Sequence, residues 1–197
     1  MIKYHNVTLS FHNKSIFKKF NAEIPTGSFV SFKGESGRGK TSLLKLVQGY
    51  VLPDSGSVFV DDQEVSHRNI HQLRKKMAWI PQNINLPVGD GNELIDMMDI
   101  HEKKARIHDF LEKLQLTPAI LKESFSKISG GQKQRIITAL ALSLEKSIVL
   151  MDEPTSSLDD KSITNLVSVI DSLKHTTILA ASHNQKWLDH SDRVIEL

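Results

Sequence analysis

Between residues 2 and 33 the apolar positions come in short alternating or β-rich runs, among them Val7-Thr8-Leu9-Ser10-Phe11 and Ser28-Phe29-Val30-Ser31-Phe32. The turn signals His12-Asn13-Lys14 and Pro25-Thr26-Gly27 separate them, so the segment reads as strands. A glycine-rich loop follows, then Leu43-Leu44-Lys45-Leu46-Val47, whose spacing suits the buried side of a helix opening at the loop. Pro53-Asp54-Ser55-Gly56-Ser57 reads as a turn, Val58-Phe59-Val60 as a strand, and Met77-Ala78-Trp79-Ile80 as a short strand stopped by Pro81. From Asn92 to about Leu144 the period turns helical, carried by Leu111, Leu114 and Leu116 and later by Ile136, Ile137, Leu140 and Leu144. Ser147-Ile148-Val149-Leu150-Met151 and Thr176-Thr177-Ile178-Leu179-Ala180-Ala181 are apolar runs of the buried-strand type, with a helix-like stretch over 160–173 between them.

This order predicts one α/β domain over 1–197: a mainly parallel central sheet, an N-terminal antiparallel β portion and an inserted helical portion. The core is expected over 1–85 and 146–197, and the helical insert over approximately 86–145. No internal repeat, low-complexity tract or linker interrupts the pattern.

Composition narrows the class. Hydrophobic residues make up 39% and charged residues 24%, the balance of a globular chain that folds in water. The net charge of +2, from 25 basic and 23 acidic residues, gives no broad electrostatic case for a nucleic-acid partner. Arg74-Lys75-Lys76 and Lys103-Lys104-Ala105-Arg106 read as solvated faces. The absence of cysteine excludes disulfides, thiolate metal sites and cysteine nucleophiles. No segment approaches the roughly 18 to 20 consecutive apolar residues of a membrane span, and the first residues lack the features of a secretory signal. A cytoplasmic location is therefore expected, with any membrane role borrowed from a partner.

Two motifs carry chemistry. Gly34-Glu35-Ser36-Gly37-Arg38-Gly39-Lys40-Thr41 fits the phosphate-binding pattern G-x-x-x-x-G-K-[ST], and it lies between a predicted strand and a predicted helix, as the chemistry requires. Small residues let the backbone wrap a phosphate chain, so that N–H groups and the positive end of the helix face its oxygens. Lys40 is then expected on the β- and γ-phosphates and the Thr41 hydroxyl on Mg²⁺, with Ser42 completing the binding segment. Downstream, the apolar run ending at Met151 delivers Asp152 and Glu153 to the edge of a parallel sheet where ligands bind. Two adjacent acids there suit a division of roles, with Asp152 in the Mg²⁺ shell and Glu153 as general base on water. Taken alone, the pair also reads as a cap on the strand before Pro154.

Ile128-Ser129-Gly130-Gly131-Gln132, followed by Lys133-Gln134-Arg135, resembles the signature motif of the ATP-binding-cassette ATPases. A Ser-Gly-Gly turn at a helix start presents a hydroxyl and N–H groups to an anion, and without the family it would read as a capped helix start. The resemblance covers essentially the whole chain and implies a P-loop NTPase fold binding ATP and Mg²⁺. It implies that Ser129, Gly130, Gly131 and Gln132 meet the γ-phosphate of ATP held by a second, opposed cassette, and that two copies close head to tail. Gln82, after Ile80-Pro81, is similar to the glutamine that senses Mg²⁺ and couples to the membrane partner. Ser156-Ser157-Leu158-Asp159 resembles the loop that contributes Asp159, and His183, after Ala181-Ser182, resembles the switch histidine. An aromatic ring that stacks on adenine is implied near the N-terminus, at Phe11 or alternatively Tyr4, and either could instead pack in the core. Departures are small: Ile128 where Leu is commoner, Ser157 where Ala is common, and Met151 closing the strand before Asp152.

The resemblance further implies a subunit that powers separate integral membrane permease subunits from the inner face of the membrane. A regulatory cassette that signals through a membrane partner without transport is the alternative. A small-molecule P-loop kinase shares the phosphate cradle but not the Ser-Gly-Gly-Gln turn.

Overall fold

The computed structural model describes residues 1–12, 14–84 and 88–197. Asn13 of the expected first turn and the expected core–insert boundary at 85 and 86 lie outside the described residues. β1 (Ile2–Phe11) and β2 (Lys14–Ile24) form an antiparallel hairpin, and β1 also pairs with β4 (Ser55–Val60), which continues into β5 (Gln63–Glu64). The second sheet contains β3 (Phe29–Lys33), β6 (Met77–Ile80), β7 (Ile148–Asp152), β8 (Thr177–Ala181) and β9 (Arg193–Glu196), in the order β6-β7-β8-β3-β9 with every pair parallel. Ser55 and Ser57, expected in a turn, are strand residues instead. β1 supplies them with ladder partners, Thr8 opposite Ser55 and His5 opposite Ser57, and tertiary pairing outweighs the local turn chemistry of Pro53-Asp54.

The helices are α1 (Lys40–Val47), α2 (Ile70–Arg74), α3 (Gly91–Met98), α4 (Lys104–Lys113), α5 (Gly130–Ser143), α6 (Asp160–Asp171) and α7 (Gln185–Asp189). Successive residues of the parallel strands point to opposite faces, and each face has its own core. Phe29, Val149, Met151, Ile178 and Ala180 meet the helices of the 91–143 region together with α6 and α7. Val30, Phe32, Ile148, Leu150, Leu179 and Ala181 meet α1 and the antiparallel sheet. Taking each such aliphatic or aromatic side chain out of water stabilises the fold by roughly 1.5–3 kcal/mol. Among the described residues the helical region has no separate core: Ile107, Phe110, Leu111, Ile136 and Leu140 belong to the same cluster as the sheet face. The basic runs engage locally at the surface, Lys76 with Asp61 at 2.7 Å and both Lys103 and Arg106 with Glu145.

α7 is held to β3 by a buried polar link. The Trp187 indole is fully buried, packs edge-on against Phe29 with ring centroids 5.0 Å apart, and donates its Nε1–H to Ser31 Oγ at 3.0 Å. Ser31 Oγ in turn lies 2.7 Å from Ser191 Oγ. A buried hydroxyl without partners would cost about 1–3 kcal/mol, so these two bonds make Ser31 tolerable inside a strand otherwise lined with apolar groups.

The candidate nucleotide site

Because β3, β7 and β8 are parallel, their C-terminal ends open on one edge of the sheet, and each delivers part of the site. β3 ends at Lys33 and leads through residues 34–39 into α1. Gly37 and Gly39 have φ of 81° and 92°, the left-handed region where a side chain is strained. Gly39 has a second constraint, since a Cβ there would sit 2.5 Å from the side chains of Ile16 and Phe17. This loop therefore packs directly against the β1–β2 hairpin.

Lys40 is buried, and its Nζ donates to the carbonyls of Gly34 at 2.7 Å and Glu35 at 3.2 Å. It also lies 3.4 Å from Glu153 Oε1. Thr41 Oγ1 donates to the Asp152 carboxylate, 2.9 and 3.0 Å from its two oxygens. Burial pushes the Asp152 carboxyl above the usual carboxylate range, the neighbouring Glu153 charge adds to that, and the Thr41 hydrogen bond opposes it. The first residue after β7, Glu153, has φ 47°, and its N–H donates to Ala181 O at 2.8 Å. A non-glycine residue held there costs about 1–3 kcal/mol, a strain that settles at functional sites when the surroundings enforce it. Here the bond to β8 enforces it, and the carboxylate turns into the cavity, where His183 Nδ1 lies 2.9 Å from Oε2.

These groups share one cavity of about 590 Å³. Gly34, Glu35, Ser36, Gly37, Gly39, Lys40, Thr41 and Ser42 line it together with Gln82, Glu153, His183, Phe11 and Ile16. Phe11 is 40% exposed at the rim. Tyr4, the alternative aromatic, is a core residue: it is 1% exposed, its hydroxyl donates to Leu43 O at 2.9 Å, and burial raises its pKa well above the ordinary phenol value. Arg38 and Asp152 do not line it: Arg38 is exposed on the loop beside Glu35, and Asp152 accepts from Thr41. Ile16 carries no motif that would mark it from sequence. Its only signal is its place on β2 two residues from Lys14, the register partner of Phe11, at the shift between the Leu9–Phe17 and Ser10–Ser15 pairs.

Ser129, Gly130, Gly131, Gln132 and Asp159 do not line this cavity. Ser129 and Gln132 form a reciprocal capping box on α5, with Ser129 Oγ accepting from the Gln132 N–H at 3.2 Å and Gln132 Oε1 accepting from the Ser129 N–H at 2.8 Å. A Cβ at Gly131 would come 2.6 Å from Ser157 O, so the start of α5 and the 156–159 loop are in direct contact. Asp159 caps α6 by accepting from the Ser162 N–H at 2.7 Å, and that bond holds its carboxyl below the usual range.

Residues 17–156 match the model of the ABC transporter family. The mitochondrial iron-sulfur clusters transporter ATM1 of Debaryomyces hansenii is 30% identical over 210 residues, covering 100% of this chain and 30% of that protein. The spermidine/putrescine import ATP-binding protein PotA of Fusobacterium nucleatum is 33% identical, covering 96% of this chain and 52% of that one. The energy-coupling factor transporter ATP-binding protein EcfA1 of Ligilactobacillus salivarius is 31% identical, with 100% and 74% covered. This chain thus spans well under two thirds of the first two relatives. Among solved structures, the ATP-binding cassette MJ0796, a dimer bound to ADP and phosphate, superposes with a TM-score of 0.85 at 25% identity over 100% of this chain and 94% of that one. No helix among the described residues is long and apolar enough to cross a membrane. With a phosphate loop, a carboxylate pair and a capped Ser-Gly-Gly turn set on this sheet, and the family model matched across most of its length, the chain belongs to the ABC transporter family as an ATP-binding cassette.

Proposed function

We propose that the chain binds ATP with Mg²⁺ in this cavity and hydrolyses it to ADP and phosphate, powering a transporter whose permease subunits are separate chains. The observation that carries this reading is the convergence of Lys40, Thr41 with Asp152, Gln82, Glu153 and His183 on one cavity at the open edge of a parallel sheet. The loop N–H groups and the start of α1 receive the phosphates, and Phe11 with Ile16 receives the base. Lys40 trades its two loop carbonyls for β- and γ-phosphate oxygens. Thr41 and Asp152 place hard oxygen donors side by side, and with the Gln82 amide they suit Mg²⁺. When bound, Mg²⁺ supplies positive charge against the phosphates. Glu153 takes a proton from the water that attacks the γ-phosphorus as the bond to the leaving β-phosphate oxygen breaks, and His183, 2.9 Å from Glu153, holds the γ-phosphate.

The exposed start of α5 supports a second copy as the partner that completes the site, since Ser129 to Gln132 stand outside their own cavity. Residues 1–85 and 146–197 act as the nucleotide-binding core and approximately 86–145 as the lobe that meets the permease. An apolar groove beside Gln82, lined by Trp79, Pro81, Ile84, Met98 and Leu144 among others, supports docking there and a place on the inner face of the membrane. The test combines release of phosphate from Mg-ATP with recovery of the tagged chain from native membranes. Hydrolysis together with a co-purifying multi-span membrane protein is expected. No hydrolysis overturns the enzyme, and recovery with soluble partners alone overturns the transporter role.

A further inference from the structure

A strict strand alternation would not bring Phe11 to the cavity. Ile2 and Tyr4 are buried, and a period of two from them would turn Val7, Leu9 and Phe11 to the opposite face. Val7 and Leu9 are nevertheless core residues at 0% and 1% exposure. The cause is an extra residue in β1 at Asn6, visible as a register shift between Tyr4 and Val7 against β2 and between His5 and Thr8 against β4. Asn6 has φ 48°, in the left-handed region, and a compensating bulge on β2 places Lys19 at φ 52°. Phe11 continues the new alternation past the end of the core and emerges at the cavity rim.

A single side chain ties the two bulges together. Asn21 Oδ1 accepts from the Asn6 N–H at 2.9 Å, and Asn21 Nδ2 donates to Asn6 Oδ1 at 3.0 Å and to Lys19 O at 2.7 Å. Bulged residues fall out of the ladder, and two of these bonds give the Asn6 N–H and the Lys19 carbonyl a partner there, while the third joins the two asparagine side chains. On the other side Gly56 lies against the Asn6 carbonyl so closely that no side chain fits between them. The offset is therefore clamped from both neighbours and puts Phe11 on the same alternation of β1 as Val7 and Leu9, while a further extra residue on β2, opposite Leu9 and Ser10, adjusts the pairing just before Phe11.

We infer that Asn21 is a positioning residue for the nucleobase, acting through Phe11 by locking the register offset of the β1–β2 hairpin. This rests on the reading of the cavity as a nucleotide site. Asn21 touches neither base nor phosphate; it sets where the aromatic ring stands. A residue that merely stabilised the hairpin would affect every ligand of the cavity alike, whereas one that acts through Phe11 affects only ligands with a base.

Calorimetric titration with Mg-ATP and with Mg-tripolyphosphate, which has no base, separates these. Asn21→Ala is expected to lose about tenfold in ATP affinity, within the worth of one base–aromatic stack, with tripolyphosphate affinity unchanged. Placed in a Phe11→Ala background, Asn21→Ala is expected to add less than about twofold, since both changes remove one interaction. Unaltered ATP affinity, parallel loss of both ligands, or full additivity with Phe11→Ala overturns the inference. Should Asn21→Ala not fold, Asn21→Asp, which keeps the acceptor for the Asn6 N–H and loses the donor to both Lys19 O and Asn6 Oδ1, is judged by the same two ligands. If the unaltered chain binds tripolyphosphate as tightly as ATP, there is no base seat and the inference falls; if it binds neither, the nucleotide reading itself falls with it.

Discussion

Glu153→Gln removes a charge while keeping the shape of the side chain, and its consequences follow from where that charge sits. In the structure Oε1 is 3.4 Å from Lys40 Nζ and Oε2 is 2.9 Å from His183 Nδ1. At an effective dielectric constant of 20 the Lys40 contact alone corresponds to a Coulomb term of about 5 kcal/mol, most of it offset by the cost of burying both ions. Lys40 keeps its bonds to the Gly34 and Glu35 carbonyls in the variant, so the loss falls below that for a fully orphaned charge, at about 1–3 kcal/mol. The His183 contact adds little because that ring is 70% exposed. For a chain of this size the unfolding temperature drops by about 2–12 °C in the absence of nucleotide. Mg-ATP reverses the order: its phosphates give Lys40 a new partner and no longer meet the Glu153 charge, so nucleotide raises the unfolding temperature more in the variant than in the unaltered chain. Turnover falls by about 10²–10⁴ with the loss of the base. The two halves are read by thermal unfolding with and without Mg-ATP and by phosphate release. A variant that hydrolyses at the normal rate refutes Glu153 as the base, and one whose unfolding temperature is unchanged without nucleotide refutes the buried pair with Lys40.

Gly39→Ala combines a left-handed φ with a Cβ driven into Ile16 and Phe17, and a loss of about 2–5 kcal/mol is expected in urea unfolding; a loss under about 0.5 kcal/mol would mean that the loop and hairpin are not packed as described. The folded Asp159 carboxyl is held below its unfolded range by the Ser162 N–H, so its contribution to stability is complete above the unfolded value near 3.9 and fades as pH falls through the lower folded value. Asp159→Asn keeps a cap and loses this titration, so urea unfolding followed from neutral pH into acid should show a shallower decline below about pH 4 than in the unaltered chain. An identical decline in both chains would assign the acid sensitivity to other carboxylates.

Much of the fold and the site is legible in the sequence because the decisive signals are local. A strand, a glycine loop ending in Lys40-Thr41 and a helix must be contiguous, and an apolar run ending in Asp152-Glu153 announces its own edge of the sheet. The order β6-β7-β8-β3-β9 is not legible, because it depends on crossovers that pair Phe29 with Ile178 and Val30 with Arg193 across most of the chain. The turn expected at 53–57 gives way to β1 for the same reason. The ambiguity between Phe11 and Tyr4 has a narrower cause. One inserted residue at Asn6 resets the alternation, and nothing in the local pattern marks Asn6 as more than a polar residue within a strand. The contact between Gly131 and Ser157 likewise joins segments that read separately as a helix start and a loop.

The seating of Trp187 between β3 and α7 has an optical consequence. The chain holds two tryptophans, and the other, Trp79, lies beside the apolar groove near Gln82. With Trp79 replaced by Phe, all indole emission would come from a ring shielded from water, edge-on to Phe29 and hydrogen-bonded to Ser31 on the strand that leads to the phosphate loop. The segment bearing His183 runs directly into the helix that carries this ring. Emission from Trp187 is thus a gauge, built into the chain and needing no label, of whether the histidine segment stays seated on the sheet as ligands enter and leave.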